Sequence, residues 1–333
     1  MKKAAIIGFG TIAPVHLAAI RSNPEIELCA VCDTNEAVRI SVPEGVPFYT
    51  DYKALCAQAK PDCVHICLPH YLHFPVSQYF AEQGVHVFCE KPVALTPKQA
   101  EEFAALEAAH PEIKMGICLQ NRLNETTEML RQLLRSGEYG KVIGCRGFVP
   151  WQRTKSYYEE QPWRGQMQYA GGGCMINQSV HTLDLLYYLC GDITRLHATV
   201  DQLLEYGVEV EDTVVARLEF ANGANGVFFA TNANYTNESV QIRVAAEKAV
   251  FHIEDDVLTR ILPDGSREKL CENEKMPGAK FYFGASHSKL IAKFYRAVEQ
   301  NTDDYIHVRD AVMSIRLIDA ICRSEKAGAA VTL

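Results

Sequence analysis

Apolar positions in the first third of the chain come as short unbroken runs separated by segments of helical period. Lys3 to Ile7, Ile26 to Cys32, Val46 to Tyr49, Cys63 to Leu68, Val85 to Cys89 and Lys114 to Leu119 are expected strands. Cys63 to Leu68 is apolar on both faces, as in a strand covered on both sides, and Pro69 stops it. Between the runs, helices are expected near Ile12 to Ser22, Tyr52 to Ala59, Phe74 to Gln83 and Thr96 to His110. Pro14 and Pro97 fall in first turns, where a missing N–H costs nothing, and Thr96 supplies a cap. Strand and helix alternating in this way predict a doubly wound parallel sheet.

After about Gln120 the pattern changes. A helix from Glu125 to Arg135 precedes a strand from Val142 to Val149, a long polar and aromatic loop, and a helix from Met175 to Leu189. From Ile193 to Leu262, period-two strands are joined by turns such as Asn222-Gly223 and Pro263-Asp264-Gly265. Helices near His287 to Glu299 and Arg309 to Glu325 close the chain. The fold class is α/β: a doubly wound domain over residues 1–121, then an α+β domain with a large, mostly antiparallel open sheet over residues 122–333. Two domains also suit 333 residues.

Composition narrows the partners. The chain is 48% hydrophobic and 22% charged, which excludes a disordered or fibrous chain. A net charge of -8 with no Lys/Arg run excludes a nucleic-acid or anionic-membrane footprint. No run approaches the roughly 18 apolar residues of a spanning helix. Met1-Lys2-Lys3 imitates a signal peptide, but Gly8-Phe9-Gly10 breaks the apolar stretch behind it. Twelve cysteines are scattered through apolar runs, and Cys29-x-x-Cys32 and Cys63-x-x-x-Cys67 lack the second pair of a zinc site. No metal is expected. Reduced, buried thiols imply the cytoplasm.

Gly8-Phe9-Gly10-Thr11-Ile12-Ala13 is a G-x-G-x-x-A between a strand and a helix. The first glycine permits the tight turn, the second admits a pyrophosphate, and Ala13 lets helix and strand approach. The following helix N-terminus offers N–H groups and a positive dipole end to phosphates. An ordinary tight turn is the bland alternative, but Asp33 at the end of the next strand suits ribose hydroxyls. With Thr34 beside it and no arginine until Arg39, NAD is favoured over NADP.

Lys91, in Glu90-Lys91-Pro92 at the end of the fifth strand, would face the cofactor crevice. Leu68-Pro69-His70-Tyr71-Leu72-His73 and Gly84 to Pro92 resemble the glucose–fructose oxidoreductase / inositol dehydrogenase / MocA (Gfo/Idh/MocA) family. Gly171-Gly172-Gly173 followed by Asn177, His181 and Asp184 resembles its second signature. Spacing of i, i+4, i+7 would place those three on one helix face. The resemblance implies that Lys91 and His181 are catalytic. It implies that Leu68, Pro69, His70, His73, Glu90, Lys91 and Gln120 join Gly8, Phe9, Gly10, Thr11, Ile12, Asp33 and Thr34 around the cofactor. Asn177 stands where many members carry Asp, which takes a carboxylate partner from His181.

The loop from Trp151 to Tyr169 holds both tryptophans, and aromatic faces pack on pyranose C–H faces. Trp163-Arg164-Gly165 resembles sugar-oxidising members. Trp151, Tyr158, Trp163, Arg164, Asn177 and Arg122 are therefore the expected substrate residues. A hydrophobic anchor for the long loop is the plain alternative.

The expected activity is NAD-dependent hydride transfer with a secondary alcohol of a sugar, sugar derivative or polyol. The alternatives are a glycosidase that recycles its NAD through oxidation, elimination and re-reduction, and a non-catalytic sugar/NAD sensor. A homodimer or homotetramer through the C-terminal sheet is the expected assembly.

Overall fold

The computed structural model describes residues 1–274 and 285–333. The apolar runs of the first third form β1 (Lys2–Ile7), β2 (Ile26–Cys32), β3 (Phe48–Tyr49), β4 (Cys63–Ile66), β5 (His86–Cys89) and β6 (Met115–Ile117). Helices α1 (Ala13–Ser22), α2 (Tyr52–Ala59), α3 (His73–Glu82) and α4 (Pro97–Ala109) join them. The strands pair in parallel in the order β3-β2-β1-β4-β5-β6. The order reverses at β1 and β4, the switch point beyond which doubly wound sheets bind ligands. Local capping agrees with the sequence. The Asp51 carboxylate accepts the Lys53 N–H at 3.0 Å, and the Thr96 hydroxyl accepts the Gln99 N–H at 3.3 Å.

The rest of the chain supplies α5 (Glu125–Arg135), β7 (Val142–Pro150), α6 (Lys155–Glu159), α7 (Met167–Ala170), α8 (Cys174–Asn177) and α9 (Val180–Cys190). Strands β8 (Ile193–Asp201), β9 (Thr213–Phe220), β10 (Asn225–Thr231), β11 (Gln241–Ala246), β12 (Val250–Glu254), β13 (Val257–Ile261) and β14 (Arg267–Glu272) follow. Helices α10 (Ser286–Gln300) and α11 (Val308–Ala327) and strand β15 (Val331–Thr332) end it. Nine strands form one sheet in the order β14-β13-β12-β11-β7-β10-β9-β8-β15, with β7 and β10 its parallel pair. Along β9, Val214, Ala216, Leu218 and Phe220 are buried while Val215 and Arg217 are exposed. This alternation is that of an antiparallel sheet covered on one side. Helix α9 supplies the cover: a Cβ on Gly147 of β7 would lie 2.7 Å from the Thr182 methyl.

Two compact units result. The first is Met1–Gln120 with Ala285–Val312; the second comprises the described residues from Asn121 to Glu274 with Met313–Leu333. The sequence reading placed all of 122–333 in one domain, whereas Ala285–Val312 packs with the first unit. The reason is the apolar stripe of α10, where Leu290, Ile291, Phe294 and Val298 are buried. Phe294 meets Phe88 of β5 at 5.3 Å between ring centroids.

A second expectation also fails locally. The helix read as Met175 to Leu189 is two helices, broken at Gln178 and Ser179. The Ser179 hydroxyl donates to the carbonyls of Cys174 (2.8 Å) and Met175 (3.3 Å), and its N–H closes on Cys174. A serine that competes for backbone carbonyls ends the turn there. Asn177 and His181 therefore belong to different helices, and the shared helix face of 177, 181 and 184 does not exist.

Candidate active site

Gly8 ends β1 at φ +89°, and a Cβ there would lie 2.6 Å from the Cys67 carbonyl oxygen beyond β4. No other residue fits both the angle and the space. At Gly10 a Cβ would meet nothing within 4 Å, so packing does not require glycine, and the backbone faces open space. Asp33, at the end of β2, closes the turn: Oδ2 accepts the Phe9 N–H at 2.7 Å and Oδ1 the Asn35 N–H at 2.8 Å. Gly10, Thr11 and Thr34 are exposed, while Phe9 and Ala13 are buried beneath them. An open glycine before a helix N-terminus, with a carboxylate at the neighbouring strand end, fits the pyrophosphate and ribose of a dinucleotide. Gly8, Phe9, Gly10, Thr11, Ile12, Asp33 and Thr34 are the residues that would hold it.

Two further turns follow β4 and β5. The buried His73 ring clamps them together, with Nδ1 2.7 Å from the Pro92 carbonyl and Nε2 2.8 Å from that of Leu68. Burial holds its pKa below the usual histidine value, although both carbonyls favour the charged ring. Leu68 and Pro69 are thereby fixed beside Lys91-Pro92, and the buried His70 ring lies 5.7 Å from that of His73. Lys91 is half-buried. Its backbone N–H donates to Glu90 Oε2 at 3.2 Å, and Glu90 Oε1 accepts His16 Nε2 at 2.8 Å. Burial alone would raise the Glu90 pKa. The hydrogen bond from His16 and the positive charge of Lys91 hold it well below the carboxylate range instead. Gln120 accepts the Cys118 thiol at 3.6 Å.

In the second unit the triple glycine is dictated by close approach. Gly171 and Gly172 adopt φ +76° and +149°, and a Cβ on Gly173 would lie 1.8 Å from the Glu211 carbonyl oxygen. The buried Glu211 carboxylate accepts the N–H groups of Gly173 (2.7 Å) and Met175 (2.9 Å). The segment carrying Asn177 is thus bolted to the chain entering β9. Asn177 Nδ2 and Gln178 Nε2 both donate to the Tyr157 hydroxyl, at 2.8 and 2.9 Å. The Asn232 amide donates to Gln178 Oε1 at 3.1 Å and to the Tyr158 hydroxyl at 3.3 Å. Arg164 lies 4.2 Å over the Tyr157 ring and donates to its carbonyl at 3.1 Å. His181 is half-buried in the first turn of α9.

The expected substrate residues divide. Trp163 and Arg164 are partly exposed, and Arg164 stacks on Tyr157, whose hydroxyl takes the Asn177 amide. Tyr158 is a core residue packed with Ala170 and Val210, its hydroxyl pushed up to about 12 by burial, and Trp151 is buried too. For those two, burial supports the plain alternative, an anchor for the loop. Arg122 is also corrected. Nε and Nη2 donate to the two oxygens of Asp184 at 2.8 and 2.6 Å, both residues buried, so its fork ties the turn at 120–123 to α9. Two of its donors are thereby committed to the fold. Tyr157, Gln178, Asn232, Glu211 and His16 carry the geometry without having been singled out as site residues. The one signal for Tyr157 was its place in the aromatic loop.

Comparison with known proteins agrees with this geometry. Residues 2–115 match the oxidoreductase family with an NAD-binding Rossmann fold, and residues 127–252 match the Gfo/Idh/MocA C-terminal domain. D-glucoside 3-dehydrogenase of Escherichia coli is 26% identical over 242 residues, covering 66% of this chain and 67% of that enzyme. Levoglucosan dehydrogenase of Pseudarthrobacter phenanthrenivorans is 24% identical over 255 residues, 69% of this chain and 63% of that enzyme. The chain therefore matches about two thirds of the length of these curated relatives. WlbA dehydrogenase from Bordetella pertussis, solved with NADH and UDP-GlcNAcA, superposes with a TM-score of 0.85 at 25% identity, over 99% of this chain and 98% of that one. With a glycine turn built for a dinucleotide in one unit and the triple-glycine signature in the other, the chain belongs to the Gfo/Idh/MocA oxidoreductase family and carries its NAD-binding Rossmann unit.

Proposed function

We propose that this protein is an NAD-dependent dehydrogenase acting on a secondary alcohol of a sugar, sugar derivative or polyol, with Lys91 and His181 as its proton-handling residues. The observation that carries the reading is the cluster around Tyr157. Two side-chain amides meet one phenol there, with a guanidinium stacked on its ring. Fixed amides and a hydroxyl beside aromatic faces are what a polyhydroxylated ring needs. When bound, NAD supplies the hydride acceptor. Lys91, held by the two clamped turns, takes the proton from the substrate hydroxyl. His181 is the second unit's proton-handling residue, and Asn177, which carries no charge, orients the sugar rather than stabilising an imidazolium. Asp33 would repel a 2′-phosphate, which supports NAD over NADP.

Val215 and Val227 are 45% and 41% exposed on the sheet face opposite α9, where Phe148 and Phe229 pack edge to face. An apolar face of this kind supports a homodimer or homotetramer built through it. The cysteine thiols of the core, raised by burial, and the absence of a disulfide among the described residues support a reducing, cytoplasmic setting. Among the described residues no helix is long and apolar enough to cross a membrane.

The test is a panel of sugars, glycosides and polyols screened for NADH absorbance, with NAD and NADP side by side. Lys91→Ala should lower turnover by on the order of 10²–10⁴ while NAD still binds. Wild-type turnover in that variant, or no hydride transfer across the panel, would overturn the assignment. Glycoside cleavage with no net NADH would mark the recycling glycosidase instead.

A further inference from the structure

Behind Lys91, four buried side chains of the first unit stand in one hydrogen-bonded row. Glu90 Oε1 lies 2.8 Å from His16 Nε2, His16 Nδ1 lies 2.8 Å from His65 Nδ1, and His65 Nε2 lies 2.9 Å from the Tyr295 hydroxyl. They come from the end of β5, from α1, from β4 and from α10. His16 and His65 are completely buried. The row has one consistent set of proton positions for neutral rings. A carboxylate only accepts, so His16 carries its proton on Nε2 and leaves Nδ1 bare. His65 must then donate from Nδ1, and its bare Nε2 accepts the Tyr295 hydroxyl. Every donor points toward Glu90.

Lys91 apart, the histidine and thiols packed around the carboxylate among the described residues carry no charge. His287 Nε2 lies 3.8 Å from Oε1, and burial holds that ring neutral with a pKa of about 4. Burial pushes the thiols of Cys67, Cys89 and Cys118 up and keeps them protonated. Burial likewise holds His65 far below the usual histidine value. Among the described residues, Lys91 adds its positive charge to the groups that lower Glu90, and its backbone N–H already donates to Oε2. His16, Glu90 and Cys118 also bring ligand atoms within 4.8 Å of one another. Both His16 nitrogens are engaged in the row, one on Glu90 and one on His65.

We propose that Tyr295, His65 and His16 are positioning residues that keep Glu90 ionised in the core, and that this fixed charge holds Lys91 as an ammonium at neutral pH. The inference rests on the role given to Lys91 above and deepens it. An ammonium suits proton delivery to a carbonyl, so carbonyl reduction is favoured near neutrality and alcohol oxidation at alkaline pH. Without its donor, a buried carboxylate takes up a proton, and Lys91 loses the partner that stabilises its charge.

The experiment reads Lys91 directly and requires no turnover: trace acylation of the ligand-free protein across pH, with the Lys91 peptide quantified by mass spectrometry. His16→Leu removes the donor to Glu90 and should lower the Lys91 midpoint by at least one pH unit, a tenfold gain in labelling below the midpoint. His16→Gln retains an N–H at similar reach and should track the wild type. His65→Leu cuts the row one step further back and gives a smaller shift in the same direction, which keeps the test open if His16→Leu does not fold. Infrared spectra of His16→Leu should show a protonated carboxyl band at neutral pH that Glu90→Gln abolishes in the double variant. One midpoint shared by all the folded variants, or no such band, would overturn the proposal. A shifted midpoint in a protein that transfers hydride to and from no sugar would support the charge device and sink the dehydrogenase reading.

Discussion

Gly173 tests how tightly the triple-glycine turn is built. Gly173→Ala adds a Cβ where the chain entering β9 already lies, so it probes the space at that position. The added Cβ would sit 1.8 Å from the Glu211 carbonyl oxygen and 2.9 Å from its carbon. Both are backbone atoms leading into β9, with no flexible end to swing aside. Relief requires the two strands of chain to part by more than an ångström. That opens three hydrogen bonds converging on Glu211: Gly173 N–H at 2.7 Å and Met175 N–H at 2.9 Å to the carboxylate, and Cys174 N–H at 3.1 Å to the carbonyl. At about 1 kcal/mol or more for each buried bond, the loss is about 3–5 kcal/mol. At roughly 2–4 °C per kcal/mol, a melting temperature lower by about 10 °C or more is expected. The same displacement moves Cys174–Asn177, so sugar KM should rise while NAD affinity, housed in the other unit, is unchanged. Differential scanning calorimetry and tryptophan-quench titration with NAD read the two effects. A variant that melts within a degree of wild type would refute the close-approach argument.

Three other outcomes follow from the geometry. Asp33→Ser combined with Thr34→Arg removes the carboxylate and adds a cation where a 2′-phosphate would lie. The NADP-to-NAD ratio of kcat/KM should rise by on the order of tenfold or more (about 1.4 kcal/mol), and an unchanged ratio would contradict the role of Asp33. His287 is neutral in the fold with a pKa of about 4 against 6.5 when unfolded, so only the unfolded chain binds its proton between those values. Stability therefore falls as pH drops from 6.5 to 4, by about 3 kcal/mol for this group, and urea midpoints should show a shallower fall in His287→Gln. Asp184→Asn strands the buried Arg122 guanidinium, whose fork takes both carboxylate oxygens. A loss of about 3–5 kcal/mol is expected by denaturant unfolding, and a loss under 1 kcal/mol would argue that the pair is solvated.

The first unit was legible because its strands are covered on both faces, which leaves unbroken apolar runs, and because Gly8 and Asp33 mark the two strand ends that a dinucleotide needs. What escaped was set by contacts distant in sequence. Nothing local in Ser286–Gln300 says that its stripe belongs on Phe88, nearly two hundred residues earlier. The helix break at Ser179 was hidden because a serine hydroxyl can leave a helix intact or cap its backbone carbonyls, and only the fold decides. Arg122 and Tyr158 looked like ligand residues because guanidinium and phenol groups serve structure and binding equally well; their burial against Asp184 and Val210 separates the two uses. The row behind Glu90 left one trace, a histidine at 65 in a strand otherwise apolar. Its partners at 16, 90 and 295 are joined only by the tertiary structure.

The return of α10 to the first unit has a consequence for biosynthesis. A Cβ on Gly116 of β6 would fall 2.7 Å from the Phe294 ring, so that sheet is shaped around a helix made well over a hundred residues later. At about 5–20 residues per second, the ribosome needs roughly ten to forty seconds between finishing β6 and completing α10. Through that interval the cofactor-binding sheet stands with Phe88 uncovered and the His65 row unterminated. Over that interval the uncovered sheet is exposed to aggregation, and NAD, whose expected contacts all fall between Gly8 and Gln120, is a ligand able to steady it.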